Sequence, residues 1–111
     1  VEPRAKLWVE RDGKIVLSAY RVRLLRLVEE TGSLSEAAQR MGLSYRRAWG
    51  KVKEIEQNLG VPLLESSAGG AGGGGSRLSA EGRRLVEAYE AYERAAHAAM
   101  RAEFYRVFGE G

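Results

Sequence analysis

Four serine residues divide this 111-residue chain into segments of helical length, and their spacing constrains the fold more than any other sequence feature. Serine is favoured at helix N-caps because its side-chain oxygen accepts a hydrogen bond from a backbone N–H of the first turn. Glycine is favoured just after a helix because it adopts a positive φ without steric cost. The pattern predicts four helices that end near residues 30, 41, 59 and 108, capped by Ser18, Ser33, Ser44 and Ser79.

Two pairs of short β-prone runs lie between these helices. Lys6–Glu10 and Lys14–Leu17 flank an Asp-Gly dipeptide, which favours a tight hairpin turn. Val61–Ser66, with Pro62 at its start, and Arg77-Leu78 flank a glycine-rich tract. We predict an N-terminal hairpin and a second hairpin, or wing, after the third helix.

The second and third helices have the layout of a helix-turn-helix. The second is short, and its small Ala37 and Ala38 allow another helix to cross closely. Ser33 and Glu36 match a capping box, in which each side chain accepts from the other residue's backbone N–H. The third helix has an inner stripe of Ala48, Val52, Ile55 and Leu59. The predicted fold is mainly α with a small β component: a winged helix-turn-helix domain over residues 1–78, with an N-terminal hairpin, and a long C-terminal dimerisation helix over residues 79–111.

The last helix is too long for a domain of this size. At 1.5 Å per residue it would span roughly 43 Å, whereas a compact domain of about 80 residues is only roughly 25–30 Å across. Its apolar residues begin with the 4-3-4 spacing of a coiled-coil seam. We predict a homodimer; the alternatives are a helix folded back on its own domain or frayed beyond Ala99. The predicted dimerisation residues are Leu85, Tyr89, Tyr92, Ala96, Met100 and Phe104.

Positive charge is concentrated on one segment. The whole chain carries a net charge of +3, whereas residues 37–53 carry five basic residues and no acidic one. A positive field concentrated on one segment is typical of a protein that binds nucleic acid, although a solvated basic helix face would have the same composition.

The composition excludes several classes of function. The chain has no cysteine, which excludes disulfides and thiolate metal sites, and its single histidine, His97, is too few for a His-based metal site. No apolar run is long enough to cross a bilayer, and no secretory signal opens the sequence. We expect no cofactor, no enzymatic activity, no membrane partner and a cytoplasmic location, with His97 at the surface or at the flank of the dimer.

The third helix presents a polar and aromatic side opposite its inner stripe. Arg46 can offer a bidentate fork to guanine or to phosphate, and Gly50 lets the backbone approach the major groove closely. Arg47 and Lys51 flank this side and are predicted to hold phosphates. Trp49 either contacts DNA or packs against the first hairpin or the wing. The outward residues are Tyr45, Arg46, Trp49, Gly50 and Lys53.

Three interpretations of the glycine tract remain open. It lacks the lysine of a nucleotide-binding P-loop, which disfavours that function. The second interpretation is a flexible loop. The third is a wing tip whose backbone N–H groups, including those of Gly72 and Gly73, donate to DNA phosphates. Arg77 at its base is then a minor-groove or phosphate contact.

Residues 27–86 resemble the winged helix-turn-helix of LysR-type regulators in the order GSLSEAA, MGLS, IEQNLGVPLLE and LSAEGRRLV. Ser44-Tyr45 followed by Ala48-Trp49, together with the glycine-rich wing, resembles ModE-like molybdate-responsive regulators. The resemblance implies a dimeric, sequence-specific transcription factor that binds a two-fold operator in double-stranded DNA. The residues predicted to contact DNA are Ser33, Ser44, Tyr45, Arg46, Arg47, Trp49, Gly50, Lys51, Lys53, Gly72, Gly73 and Arg77.

The chain departs from both patterns. Tyr45-Arg46 stands where LysR-type proteins often have Gln-Pro, so their base preference does not carry over. ModE-like regulators continue into molybdate-binding domains, whereas this sequence stops after a helix. We therefore expect a regulator without its own effector domain, served by a separate molybdate-sensing protein or unregulated, unless the sequence is truncated. The alternative function is a protein-interaction module that docks a sensor subunit.

Overall fold

The computed structural model describes residues 1–67 and 75–109, which form four helices and two antiparallel hairpins. The elements are β1 (Trp8–Arg11), β2 (Lys14–Ser18), α1 (Ala19–Thr31), α2 (Leu34–Arg40), α3 (Tyr45–Leu59), β3 (Leu64–Ser67), β4 (Gly75–Leu78) and α4 (Ala80–Phe108). None of these helices combines the length and apolar character that crossing a bilayer requires.

All four predicted serine caps are confirmed. Each side chain accepts a hydrogen bond from the backbone N–H three residues further on, as in the pairs Ser18 with Arg21 and Ser44 with Arg47. Gly32 and Gly60 end α1 and α3 in the left-handed conformation, both at φ 74°. Helix boundaries were therefore predicted to within a residue or so, because caps act over a single turn.

Half of the predicted capping box is wrong. Ser33 accepts from the Glu36 N–H at 3.1 Å, but the Ser33 N–H donates to Thr31 Oγ1 at 3.2 Å. The Glu36 carboxylate lies instead 3.6 Å from Arg40. Thr31 is already placed at the end of α1, so its hydroxyl takes the role that Glu36 would otherwise play.

Helix α1 lies at the centre of the fold and contacts each of the other three helices. Leu24, Leu25 and Val28 are fully buried, and Ala37 and Ala38 of α2 are almost completely so. The small alanines confirm the close helix crossing that their size predicts. The rest of the buried apolar core comprises Val16, Leu17, Val22, Leu34, Ala48, Val52, Ile55, Leu63, Leu78, Val86 and Tyr89.

The N-terminal hairpin turns through Asp12 and Gly13, both at positive φ, as its Asp-Gly dipeptide predicts. The strand predicted over Val61–Ser66 begins later, at Leu64. The reason is that the Leu63 N–H donates to the Glu56 carboxylate at 2.7 Å and not to a neighbouring strand. From Leu64 onward β3 pairs with β4, in register with Leu78.

Helix α4 extends from Ala80 to Phe108, as predicted, and the molecule measures 56 × 29 × 23 Å. Its proximal half, residues 80–93, packs on α1 and contributes Val86 to the core. The predicted boundary between residues 78 and 79 thus separates two parts that share one core. In the distal half, residues 94–108, no residue is buried within the single chain.

Glu29 of α1 joins three elements. Its carboxylate accepts from the Leu78 N–H of β4 at 3.0 Å and from the Arg83 guanidinium of α4 at 2.8 Å. The backbone hydrogen bond from Leu78, followed by the one from Arg83, holds the pKa of Glu29 below its ordinary value of 4.5. A carboxyl group with a lowered pKa stabilises the fold above that value and loses this contribution as the pH falls through the folded-state pKa.

We expect Glu29→Gln to flatten the acid side of the stability profile. The free energy of unfolding, measured by urea titration at several pH values, should fall less steeply below about pH 4.5 than in the wild type. Part of the fall should persist, because the pKa of Glu56 is also lowered. An identical pH dependence in the two proteins would contradict this role for Glu29.

Candidate nucleic-acid interface

The N-terminal half of α3 presents one exposed side. Ala48 and Val52 are buried against the core, which confirms part of the predicted inner stripe. The residues on the opposite side are exposed, as this periodicity requires. They are Ser44, Tyr45, Arg46, Arg47, Trp49, Gly50 and Lys53.

The basic residues of the segment differ in how they are engaged. Within the described ranges, Arg46 and Arg47 are exposed and form no ion pair. Lys51 Nζ lies 5.3 Å from the centre of the Tyr20 ring, whereas Arg40 is paired with Glu36. The two arginines at the start of α3 are therefore the most available cations of this segment. They stand beside the helix N-terminus, which adds partial positive charge.

Lys53 is not a free cation. Its ammonium lies 3.0 Å from Glu56 Oε1 and 5.5 Å from the centre of the Trp49 ring. The sequence pattern predicts that Lys53 contacts DNA directly. The pairing was missed because Glu56 reads as one more charge on a solvated helix face, although its three-residue spacing from Lys53 permits an ion pair.

The side chain of Trp49 lies at a groove between α3 and the wing. It is 47% exposed, and the groove has a volume of about 200 Å³. The ring is thus neither buried in a core nor fully solvated. Besides Trp49, the lining includes Tyr45, Lys53, Leu64, Ser66 and Ser76.

The wing is attached to α1. The Ser76 N–H donates to the Gly32 carbonyl at 2.9 Å, and the Leu78 N–H donates to Glu29. Arg77 is exposed but pairs with Glu65 across the hairpin, with Nε 2.8 Å from Oε1. Gly72 and Gly73, predicted at the wing tip, lie outside the described residues.

The two capping serines use their hydroxyl groups within the fold. Ser33 accepts from Glu36, and Ser44 accepts from the Arg47 N–H at 3.2 Å. Ser33 is half-buried at the start of α2, whereas Ser44 is exposed at the start of α3. Contact between either serine and DNA stays a prediction.

One of the predicted dimerisation residues does not belong to the exposed stripe. Tyr89 is 3% exposed, and its hydroxyl donates to the Leu7 carbonyl at 2.9 Å. The Tyr89 hydroxyl is therefore bonded to the N-terminal segment of the same chain, a contact that helical periodicity cannot reveal. Tyr92 is 50% exposed, and the other four residues are partly exposed: Leu85, Ala96, Met100 and Phe104.

The distal half of α4 carries an aromatic cluster. Phe104 and Phe108 stack with ring centres 4.6 Å apart, and Tyr105 packs edge-on against Phe104. Phe108 is 73% exposed. His97 is half-buried and borders a shallow cavity beside the N-terminal segment.

A short helix crossed by a second helix with an exposed cationic end, followed by an antiparallel wing, defines the class of winged helix-turn-helix domains. Residues 20–83 match the sequence profile of the bacterial regulatory helix-turn-helix protein, lysR family. The chain belongs to this family. The resemblance found from the motifs is thereby confirmed.

Solved structures agree with this assignment. The DNA-binding domain of CbnR, solved in a DNA complex, is 26% identical and aligns with a TM-score of 0.58, covering 78% of this chain and 95% of that one. The DNA-binding domain of BenM, also with DNA, aligns with a TM-score of 0.58 over 86% of this chain and 100% of that one. At 19% identity, BenM supports the fold alone.

Several curated relatives are molybdenum-related regulators or binding proteins. The molybdenum-pterin-binding protein MopB of Rhodobacter capsulatus is 42% identical over 77% of this chain and 31% of its own length. The molybdenum transport protein ModE of Azotobacter vinelandii is 38% identical over 80% and 33%. The DNA-binding transcriptional dual regulator ModE of Escherichia coli is 36% identical over 76% and 32%. The chain spans about a third of the length of these relatives.

Proposed function

We propose that this chain is a ModE-like transcriptional regulator that binds DNA and that α3 is its recognition helix. The observation that carries the proposal is the pair of exposed arginines, Arg46 and Arg47, without ion-pair partners in the described ranges at the N-terminal end of α3. The DNA complex of the CbnR domain supports it. The protein would act in the cytoplasm, where bacterial DNA lies.

The shape of α3 suits the major groove. A helix of 15 residues is roughly 22 Å long, and the groove of B-DNA is about 12 Å wide. No neighbouring atom lies within 4 Å of a side-chain carbon built at Gly50, so the helix backbone is open to close approach there. Arg46 then reaches guanine or phosphate, and Arg47 and Lys51 hold phosphates. Tyr45 and Trp49 face the same side.

A second copy of the chain is the proposed partner of α4. Tyr92 and Phe108 would otherwise remain in water on a helix that extends beyond the core. Pairing of two such helices gives a two-fold dimer, and the two recognition helices would read half-sites about one DNA turn apart.

The names of several relatives refer to molybdenum. We propose that the genes this protein regulates serve the handling of molybdenum. A separate molybdate-sensing protein is the proposed source of the regulatory signal.

Arg46→Ala is expected to weaken DNA binding and to reduce its salt dependence. Each phosphate contact contributes about 0.9 to the slope of log K against log salt concentration, so loss of the contact should reduce the slope by about that amount for each bound protomer. If Arg46 contacts a base instead, the slope should stay constant, and discrimination between operator and random DNA should fall by about 1–3 kcal/mol. Fluorescence anisotropy with labelled duplexes at several salt concentrations measures both quantities.

Arg23→Ala is the matched control for this experiment. Arg23 is exposed on α1 and lines a cavity between α1 and α4, away from the exposed side of α3. The control removes the same charge and should leave both slope and discrimination unchanged. Equal behaviour of the two variants would contradict the assignment of α3, and binding without salt dependence would contradict DNA recognition by this surface.

A further inference from the structure

We propose that Glu56 is a positioning residue that sets how the wing lies against the recognition helix, and that it holds Lys53 at the wing so that this lysine makes no phosphate contact. The inference rests on the proposed function, because it concerns which cations of α3 reach DNA. The inference departs from the simple expectation that every basic side chain on the exposed side of α3 contacts the DNA duplex.

One carboxylate on α3 bonds to the start of the wing. Glu56 Oε2 accepts from the Leu63 N–H at 2.7 Å and more weakly from the Leu64 N–H at 3.4 Å, while Oε1 accepts from Lys53 Nζ at 3.0 Å. The Glu56 side chain is only 15% exposed, and Leu63 is completely buried. An unpaired backbone N–H is costly at such a position, so the carboxylate is held firmly where the chain enters β3.

The wing is thus held by two helices through two carboxylates. Glu29 of α1 accepts from the Leu78 N–H on β4, and Glu56 of α3 accepts at the start of β3. Because Leu64 and Leu78 are paired in the hairpin, the two carboxylates bind neighbouring positions at the base of the wing, one on each strand. Only the Glu56 bond connects the wing directly to the recognition helix among the side-chain hydrogen bonds of the described residues.

Lys53 completes the arrangement. Its ammonium lies 3.0 Å from Glu56 Oε1 and 5.5 Å from the centre of the Trp49 ring, and a cation near an aromatic face is attracted by the ring. This contact holds Trp49 at the groove between α3 and the wing. Burial raises the pKa of Glu56, but hydrogen bonds from Leu63 and Lys53 outweigh it and lower the pKa below 4.5. The carboxylate is therefore charged at neutral pH and retains Lys53.

Two variants test the assignment through the salt dependence of DNA binding. Lys53→Met should leave the slope of log K against log salt concentration unchanged, because no phosphate contact is removed. Glu56→Gln keeps the side-chain shape and one acceptor oxygen but releases Lys53, so the slope should steepen by about 0.9 for each bound protomer. The steepening should vanish in the double variant Glu56→Gln/Lys53→Met. A slope reduced by about 0.9 for each bound protomer in Lys53→Met, or an unchanged slope in Glu56→Gln, would overturn the inference.

Trp49 fluorescence tests the arrangement without DNA. In a Trp8→Phe background Trp49 is the sole tryptophan, and both Lys53→Met and Glu56→Gln should change its emission. Unchanged emission in both variants would overturn the Trp49–Lys53–Glu56 arrangement. If the wild-type protein bound no DNA, the proposed function would fail, whereas the emission change would still support the positioning of Trp49 by this arrangement.

Discussion

Gly82→Ala is expected to lower the free energy of unfolding by about 2–4 kcal/mol, which for a domain of this size corresponds to a melting temperature lower by roughly 10–25 °C. Gly82 lies in the first turn of α4, where the helix meets the buried Leu63. A side-chain carbon at this position would overlap the Leu63 carbonyl oxygen and would come within 3.2 Å of Ser79 Oγ.

The surrounding backbone cannot move without losing other bonds. The Leu63 carbonyl already accepts from the Ser79 N–H at 2.8 Å, and the Ser79 hydroxyl donates to the Pro62 carbonyl at 2.6 Å. Displacing α4 would weaken both hydrogen bonds, each contributing about 1 kcal/mol. The better helix propensity of alanine recovers only about 0.5–1 kcal/mol of this loss.

Gly50→Ala is the matched control, and it is expected to have the opposite effect. Gly50 also lies within a helix, but nothing stands within 4 Å of the added carbon. This variant should gain about 0.5–1 kcal/mol. Thermal and urea unfolding followed by circular dichroism compare the two variants. If Gly82→Ala were as stable as the wild type, the close approach of α4 to Leu63 would be refuted.

Ala96→Glu is expected to convert the proposed dimer into monomers. Ala96 is part of the predicted dimerisation stripe on α4, where a small residue lets two helices approach closely. An unpaired carboxylate in such an interface costs about 3–5 kcal/mol, which weakens association by roughly 10²–10⁴-fold. Sedimentation velocity measures the change in mass. Affinity for DNA with two half-sites should fall strongly, while affinity for a single half-site should be retained.

Ala98→Glu provides the control on the other side of the helix. Ala98 is exposed and lies about 200° around the helix axis from Ala96. The same substitution there should leave the mass and the two-site affinity unchanged. A wild-type chain that sediments as a monomer at micromolar concentration, or a dimer that both variants preserve, would contradict pairing through the predicted stripe.

Much of the fold follows from short-range sequence signals. Ser18 and Gly32 delimit α1, and Asp12-Gly13 forms the first hairpin turn, because each signal acts within about one turn of chain. The periodicity that buries Ala48 and Val52 also determines which side of α3 is exposed. The winged helix-turn-helix architecture and its cationic helix end could therefore be predicted.

Contacts between distant residues could not be predicted in this way. Tyr89 has the spacing of a dimer seam but is buried, and its hydroxyl donates to the carbonyl of Leu7, 82 positions earlier in the chain. The start of β3 shifted because Glu56 captures the Leu63 N–H. The requirement for glycine at position 82 likewise arises from Leu63, which no local pattern links to α4.

The sequence by itself determined the helices, the order of the elements and the exposed side of α3, since capping and periodicity depend on neighbours within a few residues. Only the tertiary structure showed which basic side chains of α3 remain free of ion pairs within the described residues. Arg46 and Lys53 lie on the same exposed side of α3, and the sequence offers only Lys53 a carboxylate three residues further on. The tertiary structure adds the Leu63 N–H, which bonds to that carboxylate because α3 and the start of the wing meet in space, and no described residue pairs with Arg46.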